Sequence, residues 1–246
     1  MFKILMPALM AGLLSFNAFA EVVINGTRIV FNAKEKESAV QLKNNGKNPY
    51  LLQLWIDDGN PKSRPGDVKV PFLITPPIVR IDPGKGQAVR ILSTASGLPQ
   101  ERESVFWFNM LEVPPKPTAK IDAGSNLIQL AFRTRIKLFY RPANLQPEPL
   151  QAYKDLKFTR DGNSLTVIND SPYFITLNKV EIRKSKNSDI QASVDKFPQR
   201  MVEPKGKITL PLTIKNTAGM SSGTLFYSVI NDYGGETTNE QELHVR

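Results

Sequence analysis

The 246-residue chain is 41% hydrophobic and 22% charged, with 19 prolines, 15 glycines, one histidine, no cysteine and a formal charge of +9. This is the composition of a folded protein, and it excludes thiol chemistry, disulfide staples, zinc ribbons, iron–sulfur clusters and multi-histidine metal sites. The length suits one large domain or two of roughly 100 residues each.

Residues 1–20 read as a signal peptide. Lys3 precedes an apolar run from Ile4 to Phe16, and Ala18-Phe19-Ala20 supplies the small-x-small pattern of a cleavage site. That run is too short to span a bilayer comfortably, and no later stretch has the roughly 18 to 20 apolar residues a spanning helix needs. An exported chain starting near Glu21, without membrane insertion, is the expectation. Its charge falls to +8 as Lys3 is lost. Nucleic acid is not expected as a partner, because export argues against it and the basic residues are interleaved with acids, as in Lys34-Glu35-Lys36-Glu37. The denser group Arg133, Arg135, Lys137 and Arg141 lies on one alternating stretch.

From Val22 the periodicity is that of strands. Val22 to Phe31, Ser38 to Lys43, Tyr50 to Asp57, Phe72 to Ile81, Gln87 to Leu92, Val105 to Glu112 and Leu127 to Tyr140 are β-branched or aromatic runs. Asn44-Asn45-Gly46, Asp57-Asp58-Gly59-Asn60-Pro61, Asp82-Pro83-Gly84 and Asp122-Ala123-Gly124 supply turns between them. Seven strands in about 120 residues fit an immunoglobulin-like sandwich, and a small barrel fits the pattern as well. Residues 144–150, overlapping the proline-rich stretch Arg141 to Pro149, read as a linker between a first domain, 21–143, and a second that ends at residue 246. In that second domain, 144–246 with the linker included, strands are predicted at Leu156 to Thr159, Ser164 to Asn169, Tyr173 to Leu177, Val180 to Arg183, Ile208 to Ile214, Leu225 to Asn231 and Gln241 to Val245. No amphipathic helix of three turns is predicted.

The last strand of the first domain poses a choice. Alternation puts Ile128, Leu130, Phe132, Thr134 and Ile136 on one face and Gln129, Ala131, Arg133, Arg135 and Lys137 on the other. The apolar row is either the core side of a sandwich strand or an exposed row on an edge, and an exposed edge is a liability unless pairing is its purpose.

Several strings then resemble the PapD-like periplasmic pilus chaperones of the chaperone–usher pathway. They are Thr27-Arg28-Ile29-Val30-Phe31, Thr75-Pro76-Pro77-Ile78-Val79-Arg80-Ile81, Pro99 to Ser104, Phe106-Trp107-Phe108-Asn109, Ile136 to Pro142, and Tyr227 to Gly235, in order along the chain. The resemblance implies an all-β fold of two immunoglobulin-like sandwiches set at an angle around a cleft. It implies a periplasmic chaperone that folds, caps and delivers pilus subunits to an outer-membrane usher by lending the strand 127–140 to a subunit that lacks one.

By position in the motifs, Ile128, Leu130 and Phe132 would fill the subunit's groove. Three such side chains are worth roughly 5–9 kcal/mol gross before the cost of association. Arg28 and Lys137 would bind the subunit's C-terminal carboxylate and set the register. Lys137 is five residues from Phe132, hence on the opposite face of a regular strand, so a bulge or twist is expected to re-aim it. Glu103, Arg141 and Asp232 would form a structural ion network between the domains. The short polar segment Pro114 to Ser125 resembles the short-loop branch of the family. Self-association through the donor strand is a further expected contact, Thr75-Pro76 is a candidate cis peptide as in relatives, and no cofactor or metal is implied.

An enzyme is not expected. Ser193-Val194-Asp195-Lys196 lacks the companion motifs of penicillin-recognising enzymes, Pro83-Gly84-Lys85-Gly86 lacks the rest of a phosphate loop, and His244 lies in a strand near the end. The alternative is a secreted sandwich that binds carbohydrate or builds a fibre. Its stacking platforms would be Trp55 and Trp107, both in apolar runs where core burial is the expected fate.

Overall fold

The computed structural model describes residues 21–94, 97–117, 122, 126, 128–216 and 223–245, so the predicted signal peptide and Leu127 lie outside the described residues. The strands of the first half are β1 (Val22–Ile24), β2 (Arg28–Asn32), β3 (Glu37–Asn44), β4 (Tyr50–Asp57), β5 (Phe72–Thr75), β6 (Ile78–Ile81), β7 (Gly86–Ser93), β8 (Ser104–Val113) and β9 (Phe132–Arg141). They form a four-stranded sheet, β1-β3-β7-β5, and a five-stranded sheet, β2-β9-β8-β4-β6. The alternating residues of both sheets meet in one core that includes Phe31, Leu42, Leu52, Ile91, Phe108 and Leu138.

Two predicted strands are in fact pairs that change sheets. The run Val22 to Phe31 is divided at Gly26, whose φ of 128° takes the chain out of the extended region, and the run Phe72 to Ile81 is divided at Pro76-Pro77. Proline lacks the N–H a ladder needs, and a positive φ is open to glycine at little cost. Both halves of each run face the same core, and the buried phase shifts by one across each break, from Val22 and Ile24 to Ile29 and Phe31 and from Phe72 and Ile74 to Val79 and Ile81. The Thr75-Pro76 and Gln146-Pro147 peptides are cis.

The second half begins with one short helix, α1 (Pro149–Lys154), so the last two residues assigned to the linker are already helical. Proline at the first turn supplies a preset φ where no N–H partner is required. Strands β10 (Lys157–Asp161), β11 (Ser164–Asn169), β12 (Ile175–Arg183), β13 (Ile190–Ser193), β14 (Met201–Val202), β15 (Gly206–Pro211), β16 (Thr213–Ile214), β17 (Thr224–Ile230), β18 (Glu236–Glu242) and β19 (His244–Val245) follow. They make the sheets β15-β11-β10-β19 and β16-β13-β12-β17-β18, with β14 paired to β12, around a second core.

Here the predicted pair Tyr173 to Leu177 and Val180 to Arg183 is one strand with a register shift between Leu177 and Lys179. The predicted strand Ile208 to Ile214 is split after Pro211, and the last predicted strand is preceded by a long polar run in β18. Strands β13 and β14 have no sequence prediction, being too short to show a period. Among the described residues no helix is long and apolar enough to cross a membrane.

Candidate functional site

The site begins with the strand that ends the first sandwich. Its predicted start at Leu127 is early by several residues, because β9 begins at Phe132. Strand β8 pairs with it only as far as Glu112 opposite Phe132, and beyond Val113 the prolines 114 and 115 have no N–H to extend the ladder. Residues 128–131 therefore continue without a neighbour, apart from the Gln129 amide, which donates to the carbonyl oxygens of Pro114 at 2.9 Å and Pro115 at 3.4 Å.

The choice between a core row and an exposed row resolves along the strand. Leu138 and Tyr140 are in the first core and Ile136 packs against it, while on the same face Phe132, Leu130 and Ile128 are 54%, 62% and 90% exposed. Phe31, Phe72, Phe106 and Tyr140 stack in edge and face contacts with centroids 5.0–6.2 Å apart, which fixes the buried half of the strand. One end of β9 is thus rigidly seated and the other presents three large apolar side chains to solvent.

The edge of β9 is also divided. Residues Lys137 to Arg141 pair in parallel with Arg28 to Asn32 of β2, and Phe132 to Ile136 pair with β8 alone among the described residues. The cause is the kink at Gly26, which sends the residues before Arg28 to the other sheet and leaves the space alongside Phe132 to Ile136 unfilled.

Arg28 and Lys137 sit where that empty lane ends. They are register partners across the parallel ladder, so their side chains share a face. No register shift interrupts the β8–β9 pairing, so the expected bulge at Lys137 is absent and its side chain stays opposite the apolar row. That face opens on a cleft of about 390 Å³ between the two sandwiches, lined by Arg28, Lys137 and Trp107 from one and Thr176, Arg200 and Ile230 from the other. Among the described residues no acidic one lines it. Arg28 Nη1 donates to the Ile230 carbonyl oxygen at 2.9 Å, and its Nε is buried without an acceptor. Burial, and then the nearby Arg28 charge, hold the Lys137 ammonium below the ordinary lysine range, and burial lowers Arg28 likewise. Two cations, one with an orphaned buried donor, in a lining without a carboxylate among the described residues make a candidate anion site.

The structure brings Glu103, Arg141 and Asp232 together. Arg141 donates from Nε to Glu103 Oε1 at 2.7 Å and from Nη1 and Nη2 to the two oxygens of Asp232 at 2.6 and 2.8 Å. The second oxygen of Glu103 accepts the Phe174 N–H at 2.9 Å, and the Arg141 guanidinium lies 5.1 Å over the ring of Tyr173. Burial pushes the Glu103 carboxyl up, opposed by the Arg141 charge and the Phe174 N–H, while the two carboxylates raise Arg141 despite its own burial. Beside this network Gly234, at φ +82°, is so close to Thr27 that an added Cβ would lie 2.4 Å from Oγ1. The hairpin between β17 and β18 therefore rests directly on the residue before Arg28.

Sequence reasoning missed a second charged group. Asp57, the last residue of β4, is wholly buried and binds Arg133 and Arg135. Trp55 is buried as expected and Trp107 only half-buried, and the two rings lie under those guanidinium groups, with Arg133 4.7 Å from the Trp55 centroid and Arg135 4.6 Å from that of Trp107.

Comparison with known proteins agrees with this geometry. Residues 21–146 match the pili and flagellar-assembly chaperone PapD N-terminal domain, and residues 151–241 match the pili assembly chaperone PapD C-terminal domain. The chain belongs to the PapD family of pilus chaperones. The PapD-family chain is 42% identical over 236 residues to the probable fimbrial chaperone YadV of Escherichia coli K12, covering 93% of this chain and 92% of YadV. It is 43% identical over 225 residues to the chaperone FimB/FhaD of Bordetella pertussis, covering 89% and 87%. The crystal structure of YadV superposes with a TM-score of 0.72 at 36% identity over 91% of this chain and all of that one. The Salmonella enterica SafB chaperone, solved in complex with the SafA pilin, superposes with a TM-score of 0.69 at 26% identity over 90% and 94%. Membership in the family gives the chain a chaperone's role in pilus assembly, not a carbohydrate-binding or fibre-forming one.

Proposed function

We propose that this PapD-family chaperone holds a pilus subunit by adding its own segment 128–136 to the subunit's incomplete sandwich and by binding the subunit's terminal carboxylate between Arg28 and Lys137. The observation that carries this is the lane beside β9, open along Phe132 to Ile136 and closed at Lys137 by the start of β2. A guest strand in that lane gains backbone hydrogen bonds on one side while Ile128, Leu130 and Phe132 enter its groove.

Polarity follows from the anchor. For the guest's C-terminus to meet Arg28 and Lys137, its last strand must run parallel to β9, end to end with β2. A slip of one residue would turn the apolar row away from the groove, and a fixed carboxylate prevents it. In this account Arg141, tied to Glu103 and Asp232, fixes how the second sandwich closes the cleft over the carboxylate. Export by a cleaved signal peptide, 1–20, places the work in the periplasm, with delivery to an outer-membrane usher.

Intact-mass measurement of what co-purifies with the tagged mature protein from periplasm, with candidate subunits expressed alongside, tests the proposal. A near-stoichiometric partner of pilin size is expected, and it is lost in Lys137→Ala. Recovery of the protein alone, while the subunits accumulate folded without it, overturns the assignment.

A further inference from the structure

The two arginines that alternate with the donor row lie on the opposite face from it, and Arg135 also lines the cleft beside Lys137. Because side chains alternate along a strand, Arg133 and Arg135 face away from Phe132, Thr134 and Ile136, toward the outer side of the five-stranded sheet. There they converge on Asp57, two strands away, with β8 between. Arg135 donates from Nε to Asp57 Oδ2 at 3.0 Å and from Nη2 to Oδ1 at 2.5 Å. Arg133 Nη2 reaches Oδ2 at 3.5 Å, and Arg133 Nη1 donates to the Pro61 carbonyl oxygen at 2.7 Å. Asn109 of β8 joins the two, donating to Asp57 Oδ2 at 2.8 Å and accepting from Arg133 Nε and Nη2 at 3.0 and 2.7 Å. The Gly59 N–H completes the set on Oδ1 at 2.8 Å.

Both oxygens of Asp57 and the side-chain amide of Asn109 are hydrogen-bonded, and both guanidinium groups lie over indole rings, so their positions are held in two directions. Its place matters as much as its strength. It spans the five residues of β9 that have a neighbour on one side only, where a strand otherwise frays or rotates. Fixing two alternate side chains on one face fixes the direction of the residues between and beside them on the other.

We propose that Asp57 is a positioning residue for client capture, holding Phe132 to Ile136 flat and correctly rotated so that the open edge is ready to accept a strand. This rests on the donor-strand function above and adds to it the device that keeps the donor strand ordered before a client arrives. A preordered edge removes the entropic cost of ordering those residues on binding. The Asp57 carboxyl is pulled up by burial, yet the hydrogen bonds from Arg135, Asn109 and Gly59 hold it below the ordinary carboxylate range, so the clasp is charged at neutral pH.

Asp57→Asn keeps the shape of the side chain and removes its charge. In the free full-length protein, amide hydrogen exchange within Phe132 to Ile136 should become at least tenfold faster, with β3 and β7 unchanged. Binding of a synthetic peptide of about a dozen alternating Val and Thr residues with a free C-terminal carboxylate, long enough to fill the lane, should weaken five- to thirtyfold. Arg135→Lys, which retains the charge but not the fork or the ring contact, should fall between and serves if Asp57→Asn fails to fold. Unchanged exchange in β9 overturns the proposal, and so does a uniform acceleration across both sheets, which would make the clasp a general stabiliser. Lys137→Ala separates this from the underlying function: it should lose the peptide with normal exchange in β9. If Lys137→Ala binds the peptide normally while Asp57→Asn frays the strand, the carboxylate anchor fails and the clasp stands.

Discussion

Arg28 and Lys137 are direct neighbours across a parallel pair of strands, two cations facing a cleft whose lining contains no acid among the described residues. Adjacent like charges in a partly buried site cost free energy until an anion arrives, and the lowered Lys137 ammonium records that cost. A bound carboxylate restores the charged form, so the complex takes up a proton wherever free Lys137 is deprotonated. Client affinity should therefore fall as pH rises through the lowered pKa of free Lys137, beginning below the ordinary lysine value of about 10.4. Lys137→Arg should flatten the profile, since a guanidinium stays charged throughout. Fluorescence anisotropy of a labelled C-terminal peptide across alkaline pH reads both, and a C-terminally amidated peptide should bind at least tenfold more weakly.

Along β9 the same face serves two purposes, and substitution should separate them. Leu130→Ser should leave the unfolding free energy within about 0.5 kcal/mol of the parent, because the side chain is exposed. It should also weaken client binding by roughly tenfold or more, from the loss of about 1.5–3 kcal/mol of burial. Leu138→Ala, eight residues on and fully buried, should cost about 2–5 kcal/mol of stability. Urea unfolding of the free protein and a pull-down of subunit give the two readouts.

Arg141→Ala should act through the carboxylate it abandons. Glu103 is already raised by burial, and losing the opposing guanidinium raises it further. A carboxyl whose folded pKa exceeds its unfolded value adds most stability in acid and loses it as pH rises through the folded pKa. The variant should be about 3–5 kcal/mol less stable than the parent at neutral pH, with part of that deficit recovered in acid, as pH falls through the raised carboxyl pKa. Paired urea melts at the two pH values test the sign, and small-angle scattering tests whether the sandwiches change their relative setting.

Gly234→Ala should loosen the contact between the sandwiches. The residue has a φ of +82° and no room for a Cβ beside Thr27. The strained backbone alone costs about 1–2 kcal/mol, and the displaced hairpin moves Ile230, which accepts the Arg28 hydrogen bond. Weaker client binding with an intact first core, seen as unchanged near-ultraviolet signals from its aromatic cluster, is the expected outcome.

Much of this architecture was legible because local rules and tertiary environment agree. Tyr50–Asp57 and Ser164–Asn169 have the predicted bounds, being alternating runs closed by turn residues. The breaks at Gly26 and Pro76-Pro77 were hidden because both sides of each are apolar runs facing one shared core, and only the one-residue shift of the buried phase, from Phe72 and Ile74 to Val79 and Ile81, marks the change of sheet. The false start of β9 has the opposite cause: Ile128 to Ala131 have strand-like residues, but a strand also needs a neighbour, and prolines 114 and 115 remove it. The family motifs pointed to Arg28, Lys137, Glu103, Arg141 and Asp232, none of which periodicity alone could single out. Asp57 was invisible because it stands at the head of Asp-Asp-Gly-Asn-Pro and resembles a turn residue. The available clue was two arginines at alternate positions with no acid on their own strand.

The kink at Gly26 ties the proposed anchor to several parts of the fold at once. The three residues before it belong to one sheet and those from Arg28 onward to the other, so the guanidinium reaches its place only when both layers have closed on each other. Its bond to Ile230 then requires the second sandwich as well. In the proposed account, then, the apolar row of β9 belongs to the first sandwich alone, whereas the clamp that would set a client's register depends on both sheets of that sandwich and on the second sandwich together.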